Sequence, residues 1–554
     1  MRESIHPLGH LVRIEAHEIR DKHCFLPYHV VIKDSSSTTK HRIVNNASAK
    51  TSTGVSLNDC LMVGAVVQDG SFEIALRFRE HQIVLLADIE KMYKQIRLHP
   101  DDAQYQLILW RENENDRLQT YKIPVVLFGS ASAPFSATRV LNQLADDEET
   151  KFPLASQVIK RDSYVDNVLT GADAIEKAIE LRDQLISLTK AGEFTLRKWI
   201  SNDLRVIQSL PDSLTNVDLL NETSNTKALG IQWNRVKDEI VYKIIESFDD
   251  KITKRTILSN VARLYDPIGL IGPVIVKAKL IMQMLWQDKI EWDESVPQYI
   301  HTAWYDLRNQ LFHLNELRFT RKVAINNAIH IEIHGFCDAS ERAYGACIYI
   351  RSVDKNGNIL TTLVCSKNRV APLKTISLPK LELCAALLLT RLLKTYLDAT
   401  TLKFNSIFLW SDSSITLQWI NMQPYLLNTF VANRVAEIRE ITSTISWRHV
   451  PTRDNTADIL SRGLSPIDLV KHETWQTGPT WLQKDASEWP KALACSESIP
   501  ELRSIQAIHL VTEKVEFMTK YSSINKLKRV LAYPSGGRRH LQKIRYRSNV
   551  ANRY

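Results

Sequence analysis

The stretch from residue 330 to 462 constrains the fold more than any other. Three strand-like runs come first, at 330–336, 345–351 and 359–366. The last two meet at Asn356-Gly357, a dipeptide suited to a hairpin turn. A helical pattern follows at 381–397, then a strand at 406–410 and helices at 415–419 and 430–441. A strand at 445–450 and a short helix at 457–462 complete the series. Three antiparallel strands followed by alternating helices and strands predict a mixed α/β sheet with helices packed against it.

Four acids fall at element ends or faces in this region. Asp338 ends the first strand, in Gly335-Phe336-Cys337-Asp338-Ala339-Ser340. Glu382 lies on the first turn of the long helix, in Leu378-Pro379-Lys380-Leu381-Glu382-Leu383. Asp412 follows the strand Ile407-Phe408-Leu409-Trp410, and Asp458 opens the last short helix. Any one of them alone reads as a capping residue. Glu382 is harder to explain that way, because it interrupts an apolar face made by Leu381, Leu383, Ala385 and Leu387. A buried unpaired carboxylate is costly, so Glu382 is expected to have cationic partners.

A second constellation lies upstream. Asp88 closes the apolar run Ile83-Val84-Leu85-Leu86-Ala87, and Tyr93 follows five residues later. Phe128-Gly129-Ser130 is a turn leading into a helix that Pro134 is suited to start. Tyr164-Val165-Asp166-Asn167 lies between strand-like runs at 156–163 and 168–170 and reads as a hairpin tip. Two carboxylates on neighbouring strand ends can hold two Mg²⁺ ions about 3.5–4 Å apart, as in-line phosphoryl displacement requires. Each piece is weak alone. Their order and spacing give them weight.

A chain of 554 residues is too long for one core and is expected to form several domains. Its 44% hydrophobic and 24% charged content is that of globular protein. No apolar run is long enough to span a bilayer, and the first twenty residues carry no signal-peptide pattern. Seven scattered cysteines without a CxxC pair point to neither a disulfide framework nor a zinc site. An intracellular setting, cytoplasmic or nuclear, is expected, with no membrane partner. The net charge of +9 resides in the tail: residues 520–554 hold ten Lys or Arg and no acid, which leaves 61 basic against 62 acidic residues elsewhere. Such a tail can neutralise phosphates or be a solvated extension.

Residues from about 25 to 202 resemble reverse transcriptases of long-terminal-repeat retroelements, most closely the Bel–Pao group. The resemblance rests on Ala47-Ser48-Ala49-Lys50-Thr51, Ser56-Leu57-Asn58-Asp59-Cys60-Leu61, Ala87-Asp88-Ile89-Glu90-Lys91-Met92-Tyr93 and Leu196-Arg197-Lys198-Trp199. Phe430-Val431-Ala432-Asn433-Arg434-Val435 adds to it. It implies that Asp88 and Asp166 bind metal and that Tyr93 screens the sugar 2′ position of an incoming nucleotide. It also implies that Gly129 and Pro134 form the template and nucleotide turn, and that Lys33 and Arg42 contact nucleotide phosphates. Where the family has a second Asp, this chain has Asn167, a neutral amide that grips a hard cation less well. The usual Phe-Asp-Ala-Ser reads Asn45-Asn46-Ala47-Ser48. The N-terminal part of the fingers is expected to be missing, and polymerase activity to be absent or severely reduced.

The four acids of the later region resemble those of ribonuclease H. That likeness implies that Asp338, Glu382, Asp412 and Asp458 hold two Mg²⁺ ions, or Mn²⁺, at the scissile phosphate. The loop Pro451-Thr452-Arg453-Asp454 lacks the histidine of retroviral relatives, and His449 is expected to be structural. No Asp-Thr-Gly or Asp-Ser-Gly marks an aspartic protease, and no zincin or nucleophile-elbow pattern occurs. Residues 520–533 resemble the very start of an integrase region.

The expected architecture is a multidomain α+β and α/β protein. It comprises a polymerase palm and fingers (1–210), a connection region (211–323) and a ribonuclease H-like mixed sheet (324–465). A Trp- and Pro-containing linker (466–519) and a basic tail (520–554) follow. The expected function is Mg²⁺-dependent cleavage of RNA in RNA/DNA hybrids, with nucleic-acid template-primer and other retroelement polyprotein products as partners. The alternative is a non-catalytic or domesticated nucleic-acid-binding remnant.

Overall fold

The computed structural model describes residues 10–32, 41–215, 225–245, 251–491, 499–503 and 525–526. It divides into two compact units, Met1–Glu501 and Leu502–Tyr554. The tail expectation at 520–533 lies outside the described residues, except for Asn525 and Lys526.

The sheet of the expected palm is four-stranded and antiparallel, in the order Ser163–Tyr164, Asn167–Ala172, Ile83–Ile89, Leu196–Ser201. The strand Ile83–Ile89 is buried on both faces. Leu85 and Ala87 join a core with Leu141, Leu185 and Trp199, while Val84 and Leu86 join one with Phe78 and Trp233. Double burial explains why its sequence is a continuous apolar run rather than an alternating one. The strands Tyr28–Ile32 and His41–Asn45 pair antiparallel.

Two local expectations are corrected. Most of 156–163 is helix, not strand: the helix is Pro153–Arg161. Pro153 starts it, and Ala155, Ser156, Val158 and Ile159 are buried, which is a helical rather than a strand spacing. The spacing of Ile175, Ile179, Leu185 and Leu188 predicts a helix that Gly192 caps; the helix Ile175–Ala191 does stop at Gly192, but with φ −92°, so no left-handed conformation calls for glycine there. Space does, because a Cβ on Gly192 would lie 2.5 Å from Leu144 Cδ2.

The later region forms a five-stranded sheet in the order Ile359–Val370, Ala343–Asp354, Ala328–Ala339, Ser406–Ser411, Ser446–His449. The first three pair antiparallel and the last two are added in parallel, which is the mixed sheet expected. The helix Leu378–Ala399 packs closely over it because Gly335 has no side chain: a Cβ there would sit 2.7 Å from Leu389 and Leu409.

Packing does not break at residue 324. Ile240, Ile257 and Trp304 share one continuous core with Phe336, Leu389 and Trp410. The Trp- and Pro-containing stretch is not a free linker over its described part. Trp475, Trp481 and Trp489 are buried, and the Trp481 ring lies 4.8 Å from that of Trp410. The palm is fastened to the same body. Arg79, fully buried, donates to the main-chain carbonyls of Arg321 and Thr320 at 2.9 Å each and of Val364 at 2.5 Å.

Candidate functional site

The five-stranded sheet brings the four later acids to one end. Cys337 and Ser411 are register partners in the parallel pair, so Asp338 and Asp412 follow each other on adjacent strand ends. The third acid comes down from the helix Leu378–Ala399. Glu382 is its fifth residue, on the second turn rather than the first. Asp458 begins the helix Asp458–Arg462. Gly345 lets that helix approach: it is the register partner of Asp338, and a Cβ on it would lie 2.3 Å from Leu460 Cβ.

The electrostatics show a carboxylate cluster short of cations. Asp338 is pushed up to about 7, first by burial and then by the charges of Asp412, Asp458 and Glu382, against a hydrogen bond from Ser461. Ser461 Oγ donates to Asp338 Oδ2 and lies 3.0 Å from the Asp458 carbonyl. Burial also raises Glu382, with Asp412 adding to it, against a hydrogen bond from Ser413. Cationic partners for Glu382 do not materialise: it forms no salt bridge among the described residues, and a hydroxyl takes their place. The cation beside the cluster is Arg462, whose Nε is 2.6 Å from Asp458 Oδ1. The His449 ring hydrogen-bonds to the Asp412 main chain and is held below its usual value by burial, in keeping with a structural role.

The donor set fits a divalent cation by charge and by type, since buried carboxylates crowded together favour a hard, oxygen-liganded ion. As they stand, no three His, Cys, Asp or Glu side chains among the described residues are grouped to hold one ion.

The palm pair is also brought together. Asp88 is the register partner of Asn167, and Ile89 N donates to the Asp166 carbonyl at 2.7 Å. Asp166 is raised by burial and by Asp88. Val165, at the tip, has φ +54°, a left-handed conformation that is strained for a β-branched residue. Gln68 Oε1 accepts from its main-chain N–H at 3.2 Å. Asn167 Nδ2 donates to Asp166 Oδ1 at 2.8 Å, and Lys198 Nζ lies 3.4 Å from Asp88 Oδ2. Both palm carboxylates are therefore partnered from within the chain.

Of the other expected residues, Tyr93 is near enough to Asp166 to feel its charge. The Tyr93 ring lies 4.5 Å from Phe128, and its hydroxyl is raised by burial and by Asp166. Gly129 has φ +98°, and a Cβ there would meet the Asn45 carbonyl at 2.9 Å. Pro134 is in the first turn of the helix Ala133–Asp147. Arg42 lies in the strand His41–Asn45, but its side chain and all of Lys33 fall outside the described residues. Ser461, Ser413 and Lys198 were not singled out from sequence. Ser461 had a readable signal, lying three residues after Asp458 and therefore on the same helix face.

With this geometry in place, the comparisons are specific. Residues 253–413 match the family model described as Pao retrotransposon-like RNaseH-like domain. That match covers Asp338, Glu382 and Asp412, and it begins well before residue 324. No match is found among curated proteins. Among solved structures, the chain is similar to the foamy viral protease-reverse transcriptase dRH in complex with ds DNA, at 12% identity and a TM-score of 0.53. That alignment covers 81% of this chain and 68% of the other. It is also similar to the foamy viral protease-reverse transcriptase in complex with RNA/DNA hybrid, at 11% identity and a TM-score of 0.51. There it covers 80% of this chain and about half, 52%, of the other. At such identities the likeness is one of fold. The fold class is that of a reverse transcriptase joined to a ribonuclease H-like domain, and residues 253–413 carry the retrotransposon family's signature.

Proposed function

We propose that this chain is a retroelement-derived nucleic-acid enzyme whose working centre is the cluster Asp338, Glu382, Asp412 and Asp458. The reaction is cleavage of the RNA strand in an RNA/DNA hybrid, a substrate recognised by shape and backbone. The observation that carries this reading is the convergence of four acids, from four separate elements, on one sheet end with hydroxyl partners. These residues would hold Mg²⁺, which supplies Lewis acidity and charge compensation at the scissile phosphate. Ser461 orients the Asp338 carboxyl through Oδ2, and Ser413 does the same for Glu382. Arg462 neutralises part of Asp458.

The palm centre is read as an impaired polymerase site, because Asn167 and Lys198 occupy its two acids. A rival reading, a non-catalytic or domesticated nucleic-acid-binding remnant, is favoured by the absence of any ion-ready group of three ligands among the described residues. Other retroelement polyprotein products remain proposed partners. The test is release of labelled RNA fragments from a hybrid in Mg²⁺, compared with duplex DNA and with chelator. Cleavage confined to the hybrid and abolished by chelation supports the proposal, and binding without any cleavage supports the rival.

A further inference from the structure

A cavity of about 610 Å³ lies where the helix Ser414–Asn421 meets the edge strand Ser446–His449 and the segment 486–491. Its size suits a small organic ligand. Arg448, His449 and Lys491 line it, and no carboxylate does. The Arg448 guanidinium lies 4.2 Å from the centroid of the Phe408 ring and 5.8 Å from that of Trp489. Stacking of this kind fixes the guanidinium plane while leaving its donors free to face an anion. Among the described residues Arg448 forms no salt bridge, and its Nε reaches Ser446 Oγ only at 3.4 Å.

The polar remainder of the lining is base-like in its demands. Trp489 is 5% exposed, yet its Nε1 has no hydrogen-bond partner. Gln418 Oε1 is buried and unpartnered as well. A buried donor and a buried acceptor left unpaired are costly, and both belong to residues that line the cavity. Asn421 lies one turn along the helix from Gln418 and lines the same cavity. Cations for a phosphate, carboxamides for a base edge and an aromatic wall are together the chemistry that recognises a nucleotide.

We propose that this cavity binds one nucleotide, with Arg448 and Lys491 taking the phosphate and Gln418, Asn421 and Trp489 taking the base. Binding here does not require the cluster to cleave anything, so it stands apart from the proposed nuclease reaction.

The test uses the full chain. Hydrogen–deuterium exchange is followed with adenosine or uridine monophosphate, with a single-stranded tetranucleotide, and with adenosine or inorganic phosphate alone. Either monophosphate should protect 414–421 and 446–449, and should bind about tenfold or more tighter than nucleoside or phosphate. A tetranucleotide that binds more tightly still identifies the source as a strand, and equal affinity identifies a free nucleotide; both support the site. Lys491→Glu and Gln418→Leu should each weaken binding about tenfold, while Asp338→Asn should leave it intact. Absence of protection in the unaltered protein overturns the proposal. So does inorganic phosphate binding as well as the nucleotide, or loss of binding in Asp338→Asn.

Discussion

Asn167 donates its side-chain amide to Asp166 Oδ1 at 2.8 Å, across the tip of the palm hairpin. The residue that would add a third carboxylate instead satisfies one of the other two. Lys198 does the same for Asp88 at 3.4 Å. In a primer-extension assay with Mg²⁺ or Mn²⁺, the unaltered protein should incorporate nucleotides only at background. Asn167→Asp should raise incorporation by about tenfold or more. Robust incorporation by the unaltered protein would show that the amide is no impediment.

Gly345→Ala should uncouple folding from cleavage. The new Cβ would lie 2.3 Å from Leu460 Cβ and push the helix Asp458–Arg462 off the sheet. Overpacking of this kind costs about 1–3 kcal/mol. Thermal unfolding should therefore shift modestly while hybrid cleavage is largely lost, because Asp458 moves away from Asp338. Cleavage retained at the unaltered rate would mean that the approach of this helix does not set the site.

Arg79 tests the joint between the palm and the body behind it. Its three carbonyl partners, on Thr320, Arg321 and Val364, would be left buried and unpaired in Arg79→Ala. Leaving buried acceptors without their charged donor costs about 1–3 kcal/mol each. Urea unfolding should lose that much stability, and a loss below about 1 kcal/mol, the range of a surface contact, would contradict the packing described.

Asp266 makes stability depend on pH. Burial pushes its carboxyl up to about 6, against hydrogen bonds from Ile271, Tyr242 and Leu270. The folded value lies above the unfolded 3.8, so the folded chain binds this proton more readily. The group adds stability as pH falls from about 6 toward 3.8, and withholds roughly 3 kcal/mol of it above pH 6. Asp266→Asn lacks that gain. The stability difference between unaltered protein and variant, from denaturant midpoints, should be larger at pH 5 than at pH 7. A difference that is flat, or larger at pH 7, would contradict the assignment.

Much of this was legible in the sequence because local signals and tertiary packing agree. Asn356-Gly357 and the strand-like apolar runs on either side of it define the strands Ala343–Asp354 and Ile359–Val370, with Gly357 at φ +80° in the turn. Asp338, Asp412 and Asp458 were readable because each sits where an element ends, and Asp88 and Asp166 for the same reason. The helix Pro153–Arg161 was misread because its short amphipathic run passes for strand at that length. Trp475, Trp481 and Trp489 gave no period to read. They lie in short turns whose burial depends on a sheet face assembled from distant residues. The missing cation at Glu382 follows from tertiary placement too, since Ser413 reaches it only after the strand Ser406–Ser411 has paired.

The most direct measurement is the rate of RNA-strand cleavage in an RNA/DNA hybrid by the unaltered protein and by Asp338→Asn, in Mg²⁺. Cleavage by the first and a fall to background in the second are expected, with hybrid binding kept by both. Equal, background-level cleavage by the two proteins would contradict this and leave a nucleic-acid-binding remnant.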